Sequence, residues 1–188
     1  AINSPQLFAD VAGLEEYIAE SYVCRSLIEL LQNADDAEAT RFVVGRFRNA
    51  FFVANDGRPF SQTDFESLCR SSVSTKQRGK SIGYRGIGFK SVVAFASRIH
   101  IVSGQLRATF CRSLTKSVVP NSTKVPLVRV PHEIPADTLT RFEGLIQSLE
   151  AEGWTTIFLF EDLDDHAIVS EFETIKPELL LFLRHVEV

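Results

Sequence analysis

Three polar side chains in "ELLQNADDA", residues 29–37, stand at a spacing that could do chemistry: Glu29, Asn33 and Asp36. On a helix turning about 100° per residue they fall within one narrow wedge. Val23, Leu27, Leu30, Leu31 and Ala34 fill a different arc and form the core-facing stripe. A carboxylate, an amide and a second carboxylate in one wedge could form the floor of a site. They could equally be the solvated back of an amphipathic helix.

A second group is "SIGYRGIGFKSVVAFASRIHIVSG", in which Gly83, Gly86 and Gly88 make a GxxGxG that runs directly into a helical pattern. Glycines there let backbone approach a ligand closely, and the first turn of the helix presents free N–H groups to an anion. The order and the preceding loop do not fit a Rossmann fingerprint, and the spacer and Gly-Lys-Ser/Thr ending of a Walker loop are absent. A third group is "FFVANDGRPF": Asn55 and Asp56 end a strand beside Gly57, as acceptors at a ligand edge or as an ordinary Asn-Asp-Gly turn.

Charge supports an anionic ligand locally and not globally. The net charge is −4, which gives no general attraction for nucleic acid. Between Arg70 and Lys90, however, there are six basic residues (Arg70, Lys76, Arg78, Lys80, Arg85, Lys90) and no acid. That cluster reads either as a solvated basic loop or as a seat for a phosphate-bearing ligand. Cys24, Cys69 and Cys111 lie far apart with no CxxC, which argues against a disulfide framework or zinc site and for a reducing, cytoplasmic setting. The longest apolar run, "LLLFL" at 179–183, is too short to span a membrane, and "AINSPQLFADV" does not read as a signal peptide. A chain that begins at Ala1 and contains no Met reads as a processed chain or an excised piece.

The elements that must position these groups follow from periodicity. Residues 11–20 and 22–39 read as helices, and 41–47 and 50–54 as a hairpin turning at Arg48 and Asn49. Ser61 followed three residues on by Asp64 is a capping-box start. Residues 71–88 form a long loop, "FKSVVAFA" a helix, and "RIHIVSG" and "LRATFCR" strands, with His100 a strand residue. An exposed loop is expected at 113–124, a short edge strand at "VPLVRV", and a helix from Asp137 to about Glu152 that Gly153 stops. "WTTIFLF" is a strong strand, "EDLDDH" (161–166) a solvated acidic loop, and Pro177 opens a last helix, "PELLLFLRH". Without regular βαβ alternation the expectation is an α/β (α+β) two-layer sandwich, its sheet mixed and mostly antiparallel, with helices on one face.

In order, "ELLQNADDA", "NDGRPF", "IGYRGIGFKSV" and the threonines of "GWTTIFLF" resemble the four motifs of the GHKL ATPases. That superfamily covers gyrase-type topoisomerases, heat-shock chaperones, histidine kinases and MutL. The nearest resemblance is to sacsin and plant NO VEIN-like ATPase modules, and it runs from about Arg25 to Ser103 and again from Gly153. It implies a Bergerat fold over 1–188 as one ATPase domain, with 71–88 as ATP lid and glycine-rich loop.

The resemblance also implies roles. Glu29 is the general base, and Asn33 the Mg²⁺ ligand, with ATP and Mg²⁺ as cofactors. Asp36 and Ala37 lie beside the sugar and base. Asn55, Asp56 and Gly57 match the adenine-reading motif, whose usual pattern is Asp-x-Gly-x-Gly. Aligning on Gly57 puts Asn55 at the Asp position and Pro59 at the second glycine, and either Asn55 or Asp56 is left as reader. Thr75, Lys76 and Lys80 would close over the phosphates. Gly83, Tyr84, Arg85, Gly86, Ile87, Gly88 and Phe89 make the phosphate loop, and Lys90 follows as phosphate contact or solvated lysine. Thr155 matches the fourth-motif threonine; Thr156 is the open alternative, since adjacent strand residues face opposite sides. The partners implied are ATP/ADP, downstream domains of the same polypeptide and a nucleotide-dependent homodimer, with no direct nucleic acid contact and no membrane. A nucleotide sensor without hydrolysis and a histidine-kinase-type catalytic domain are the alternatives.

Overall fold

The structure is a computed structural model that describes residues 5–21, 24–70, 88–176, 178 and 182–186. Its centre is an antiparallel five-stranded sheet in the order β1-β2-β5-β3-β4. β1 (Phe42–Phe47) and β2 (Ala50–Asn55) form the expected hairpin, turning through Arg48 at φ 56°. β3 (Ala96–Ser103) and β4 (Leu106–Cys111) form a second hairpin. β5 (Thr156–Leu163) lies between the two and pairs with both β2 and β3. Its central place explains "TIFLF": a strand covered on both faces needs apolar residues at every position, not at alternate ones.

The two faces carry different cores. Phe51, Val53, Ile99, Ile101, Phe158 and Phe160 point to one side, where they meet Leu27 and Leu30. Those leucines belong to α2 (Ser26–Asp36); Phe89 and Val92 of a 3-10 helix (Gly88–Ala94) join them. α1 (Pro5–Ser21) and α2 pack on that 3-10 helix. The arrangement is the α+β two-layer sandwich that the sequence predicts. The expectation of helices on one face only is corrected, because the reverse face is covered too: Phe142, Ile146 and Leu149 of α5 (Ala136–Ala151) pack on Ala54, Ile157 and Leu159. None of the helices among the described residues is long and apolar enough to cross a membrane.

Local signals hold at several ends. Ser61 caps α3 (Gln62–Cys69) with the full box: Asp64 N–H donates to its hydroxyl, and Ser61 N–H donates to the Asp64 carboxylate at 3.0 Å. Gly153, at φ +87°, follows α5 as the left-handed stop that glycine supplies most readily. Asp137 stands in the first turn of α5 and Pro135 takes the cap position.

Elsewhere the sequence reading is corrected. α1 begins at Pro5, six residues earlier than the expected 11, and α2 begins only at Ser26. The helix expected from "FKSVVAFA" is the 3-10 helix, and Ala96 already belongs to β3. Polar residues 112–118 form a short α4 (Arg112–Val118), with only Thr115 buried and its hydroxyl 3.1 Å from His132 Nε2. One inward residue leaves no apolar period to read. "VPLVRV" forms no strand; Leu127 and Val128 donate their amides to the buried Glu15 carboxylate of α1, at 2.5 and 2.7 Å. Of the helix predicted at 177–185, residues 177 and 179–181 lie outside the described residues, and 183–185, which are described, are not helical.

"EDLDDH" is not a solvated loop. β5 runs through it to Leu163, and Asp164 caps α6 (Asp165–Thr174) by accepting from the His166 and Ala167 amides. Glu161 is buried on the reverse face. Its Oε2 lies 2.9 Å from His100 Nε2, and Arg141 of α5 donates to both carboxylate oxygens. His100 Nδ1 meets the Thr109 hydroxyl at 2.8 Å. Burial pushes the Glu161 carboxyl up; the hydrogen bonds and charges of His100 and Arg141 outweigh it and hold the pKa at about 2, against an ordinary 4.5. The folded state therefore binds this proton less readily than the unfolded one. The stability it contributes is complete above about pH 4.5 and is lost as pH falls towards about 2. Chemical denaturation followed down that window should show a flatter acid limb in Glu161→Gln; an identical slope would mean that other carboxylates set it.

Candidate functional site

α2 presents the polar wedge as expected. Leu27, Leu30, Leu31 and Ala34 are buried, whereas Glu29, Asn33 and Asp36 are half-buried. The wedge is therefore neither core nor open back. Glu29 faces the start of the 3-10 helix. A Cβ placed on Gly88 would lie 1.8 Å from Glu29 Oε2 and 2.4 Å from its Cδ. Only glycine lets the backbone come this close to the carboxylate. Ser91 fastens the same turn by donating from its hydroxyl to the Gly88 carbonyl at 2.5 Å.

The other end of α2 meets the end of β2. The Arg58 amide donates to the Ala37 carbonyl at 2.8 Å, and the Arg58 guanidinium reaches the Asp36 carbonyl at 3.3 Å. Gly57 is buried there, and a Cβ on it would lie 2.8 Å from the Ala37 oxygen. Small residues on both sides thus bring "NADDA" and "NDG" into backbone contact.

Strand alternation separates Asn55 from Asp56. Asn55 shares the side of Phe51 and Val53, facing α2; it is buried, and its Oδ1 accepts from the Gly57 amide at 3.1 Å. Asp56 is committed elsewhere. Its carboxylate accepts from the amides of Thr40 and Arg41, both at 2.8 Å, and from the Thr40 hydroxyl and Arg41 Nε, both at 2.9 Å. Burial works to raise its pKa, but the hydrogen bonds from Arg41 and Thr40 win and hold it at about 2.

Register also separates the two threonines. Thr156 stands opposite Asn55 on β2 and Ser103 on β3. Its hydroxyl lies 2.6 Å from the Ser103 hydroxyl, whose oxygen also accepts from the Phe60 amide at 3.0 Å. Asn55, Thr156 and Ser103 therefore form a buried polar row across three strand ends, on the side of α2. Thr155 closes the turn: its amide donates to the Asn55 carbonyl at 3.0 Å and its hydroxyl lies against the Gly57 carbonyl.

Two residues of the glycine motif have structural duties. Phe89 is core, its ring 5.4 Å from that of Phe158, so only its backbone is available to a ligand. Lys90 is buried and donates to the Arg70 carbonyl at 3.1 Å. Burial lowers its pKa, and the Glu15 carboxylate works against that. The short 3-10 helix also aligns fewer peptide dipoles than the α-helix expected after the glycines. Thr75, Lys76, Lys80, Gly83, Tyr84, Arg85, Gly86 and Ile87 lie outside the described residues. Sequence reasoning missed Ser103, which carries no motif; its place in the row comes only from pairing across three strands.

What emerges is an α+β sandwich in which described parts of four sequence motifs meet around α2 and the ends of β2 and β5. No protein-family model matches the chain. It is similar to Protein NO VEIN of Arabidopsis thaliana, 30% identical over 176 residues, a match covering 86% of this chain. The chain spans 6% of that protein's length.

The Gly88 contact yields a test. Gly88→Ala should preserve the fold at a cost of about 1–3 kcal/mol, because the nearest clashing atoms are the carboxyl end of the Glu29 side chain rather than backbone. A crystal structure of the variant should find that carboxylate swung away from position 88. An unmoved Glu29 with a shifted 3-10 helix would show that the backbone, not the side chain, is the softer partner.

Proposed function

We propose that this domain binds Mg²⁺–ATP and hydrolyses it slowly, as a GHKL-type nucleotide switch that drives conformational change or dimerisation in a longer protein. The observation that carries the reading is the approach of the Glu29 carboxylate to Gly88, across a gap no side chain could share. It joins the acidic helix to the last glycine of the phosphate-loop motif. The resemblance of four ordered motifs to GHKL ATPases supports it, as does the similarity to Protein NO VEIN.

The residues present fit such a ligand. Mg²⁺ takes one or two protein oxygens and completes its shell with phosphate and water. The half-buried Asn33, one turn from Glu29, offers one amide oxygen. When bound, the cation would neutralise charge on the phosphate oxygens. Glu29 would accept the proton of the attacking water, and its place beside Gly88 puts that base next to the loop that would cradle the γ-phosphate. Asn55 Oδ1, already oriented by the Gly57 amide, would accept an adenine amino hydrogen through its second lone pair. A neutral amide accepts more weakly than the usual carboxylate, so discrimination against other bases should be modest. ATP/ADP, downstream domains and a second copy of the chain are the partners of this reading.

Thermal unfolding tests binding. Nucleotide at roughly a hundred times its Kd should add about 2.7 kcal/mol of stability. ATP and ADP should both raise the Tm, GTP less, and Glu29→Gln should keep the ATP shift while stopping phosphate release. No shift with any nucleotide would contradict the reading, and release unchanged in Glu29→Gln would remove Glu29 as base.

A further inference from the structure

Two buried carboxylates fasten α2 to C-terminal residues at both of its ends. At the start, Glu171 of α6 is 2% exposed and its Oε2 accepts from the Leu27 amide at 3.0 Å. First-turn amides have no partner inside their own helix, so an acceptor from α6 satisfies them and complements the dipole. Thr174 adds a hydroxyl bond to the Cys24 carbonyl at 2.6 Å.

At the far end stands Asp35, 1% exposed. Its Oδ1 accepts from three successive amides, those of Arg184 (2.9 Å), His185 (2.7 Å) and Val186 (3.2 Å). Its Oδ2 is buried with no hydrogen-bond partner among the described residues. A carboxylate here is costly twice over, since it loses water and meets the negative end of its own helix dipole. An apolar residue would hold α2 against a core without that cost. Three converging amides form an anion nest, so the charge serves to hold 184–186 on the helix.

Asp35 follows Glu29 by six residues, about 240° around the helix. It stands outside the wedge of Glu29, Asn33 and Asp36, and the backbone of α2 connects it to them.

We propose that Asp35, with Glu171 at the opposite end, is a positioning residue that makes the placement of α2, and with it the alignment of Glu29 and Asn33, depend on α6 and residues 184–186. Its functional arm rests on the nucleotide reading above; its structural arm does not.

Asp35→Asn keeps the shape and one acceptor oxygen and removes the charge. Hydrogen exchange without nucleotide should quicken at least about tenfold at Leu30–Ala34, not only at 184–186. With Mg²⁺–ATP, kcat should fall at least about tenfold, because small misplacements of a base are costly. ADP binding without Mg²⁺ should stay within about twofold, because the Asn55–Thr156–Ser103 row is untouched. Glu171→Gln should give the same pattern from the other end and replaces Asp35→Asn should that variant not fold. Faster exchange confined to 184–186, with kcat unchanged, overturns the proposal. A wild-type protein that binds no nucleotide sinks the functional reading, while exchange along α2 still decides the positioning claim.

Discussion

Position 88 has room for a hydrogen and nothing larger, and the candidate site depends on that restriction. The Glu29 carboxylate occupies the space a side chain would take. Both partners are fixed from behind by the same core. Leu27 and Leu30 anchor α2, and Phe89 anchors the 3-10 helix against Phe158. The aromatic packing that holds the layers together thus also sets the distance between the acidic helix and the glycine motif. A shift in either layer would be felt at Glu29 before it was felt at the surface, because close-packed interiors transmit displacement.

The two faces of the sheet divide the polar work. Towards α2, the row Asn55, Thr156 and Ser103 is neutral and hydrogen-bonded, a floor that can meet a ligand edge without a charge to neutralise. On the reverse face a buried carboxylate is the centre: Glu161 is closed off by His100 and Arg141 beneath α5, and His100 also meets the Thr109 hydroxyl. Both oxygens of the Glu161 carboxylate are partnered, although Arg141 Nε is buried without a partner among the described residues, and the network pins α5 to β3 and β5. Asp56 works in the same manner, joining the Thr40–Arg41 corner to the end of β2. Acidic residues that look alike in the sequence therefore have opposite employments, and alternation along each strand decides which.

Much of this was legible in the residues themselves. The hairpins, the central apolar strand, the capping box at Ser61 and the stop at Gly153 are written in local periodicity and turn chemistry, which need no distant partner. The wedge on α2 followed from helical spacing alone. What escaped depends on contacts between segments far apart in the chain. Leu127 and Val128 look like strand but are held by Glu15 of α1. α4 has too few inward residues to show a period, and α6 hid behind acids that proved to be a core residue, a cap and a first turn. Adjacent Thr155 and Thr156 could not be told apart until the register put Thr156 opposite Asn55 and left Thr155 in the turn before β5. Ser103 and Asp35 carry no local signature at all; pairing and packing alone reveal them.

The central claim is spatial: the carboxylate of α2, the glycine at 88 and the polar row at the strand ends converge on one triphosphate. A crystal structure with Mg²⁺ and a nonhydrolysable ATP analogue tests it most directly. Adenine should lie against Asn55 and Thr156, the γ-phosphate beside Gly88, and Glu29 within reach of a water in line with it. Nucleotide bound elsewhere, or bound there with Glu29 turned away from the phosphates, would contradict it.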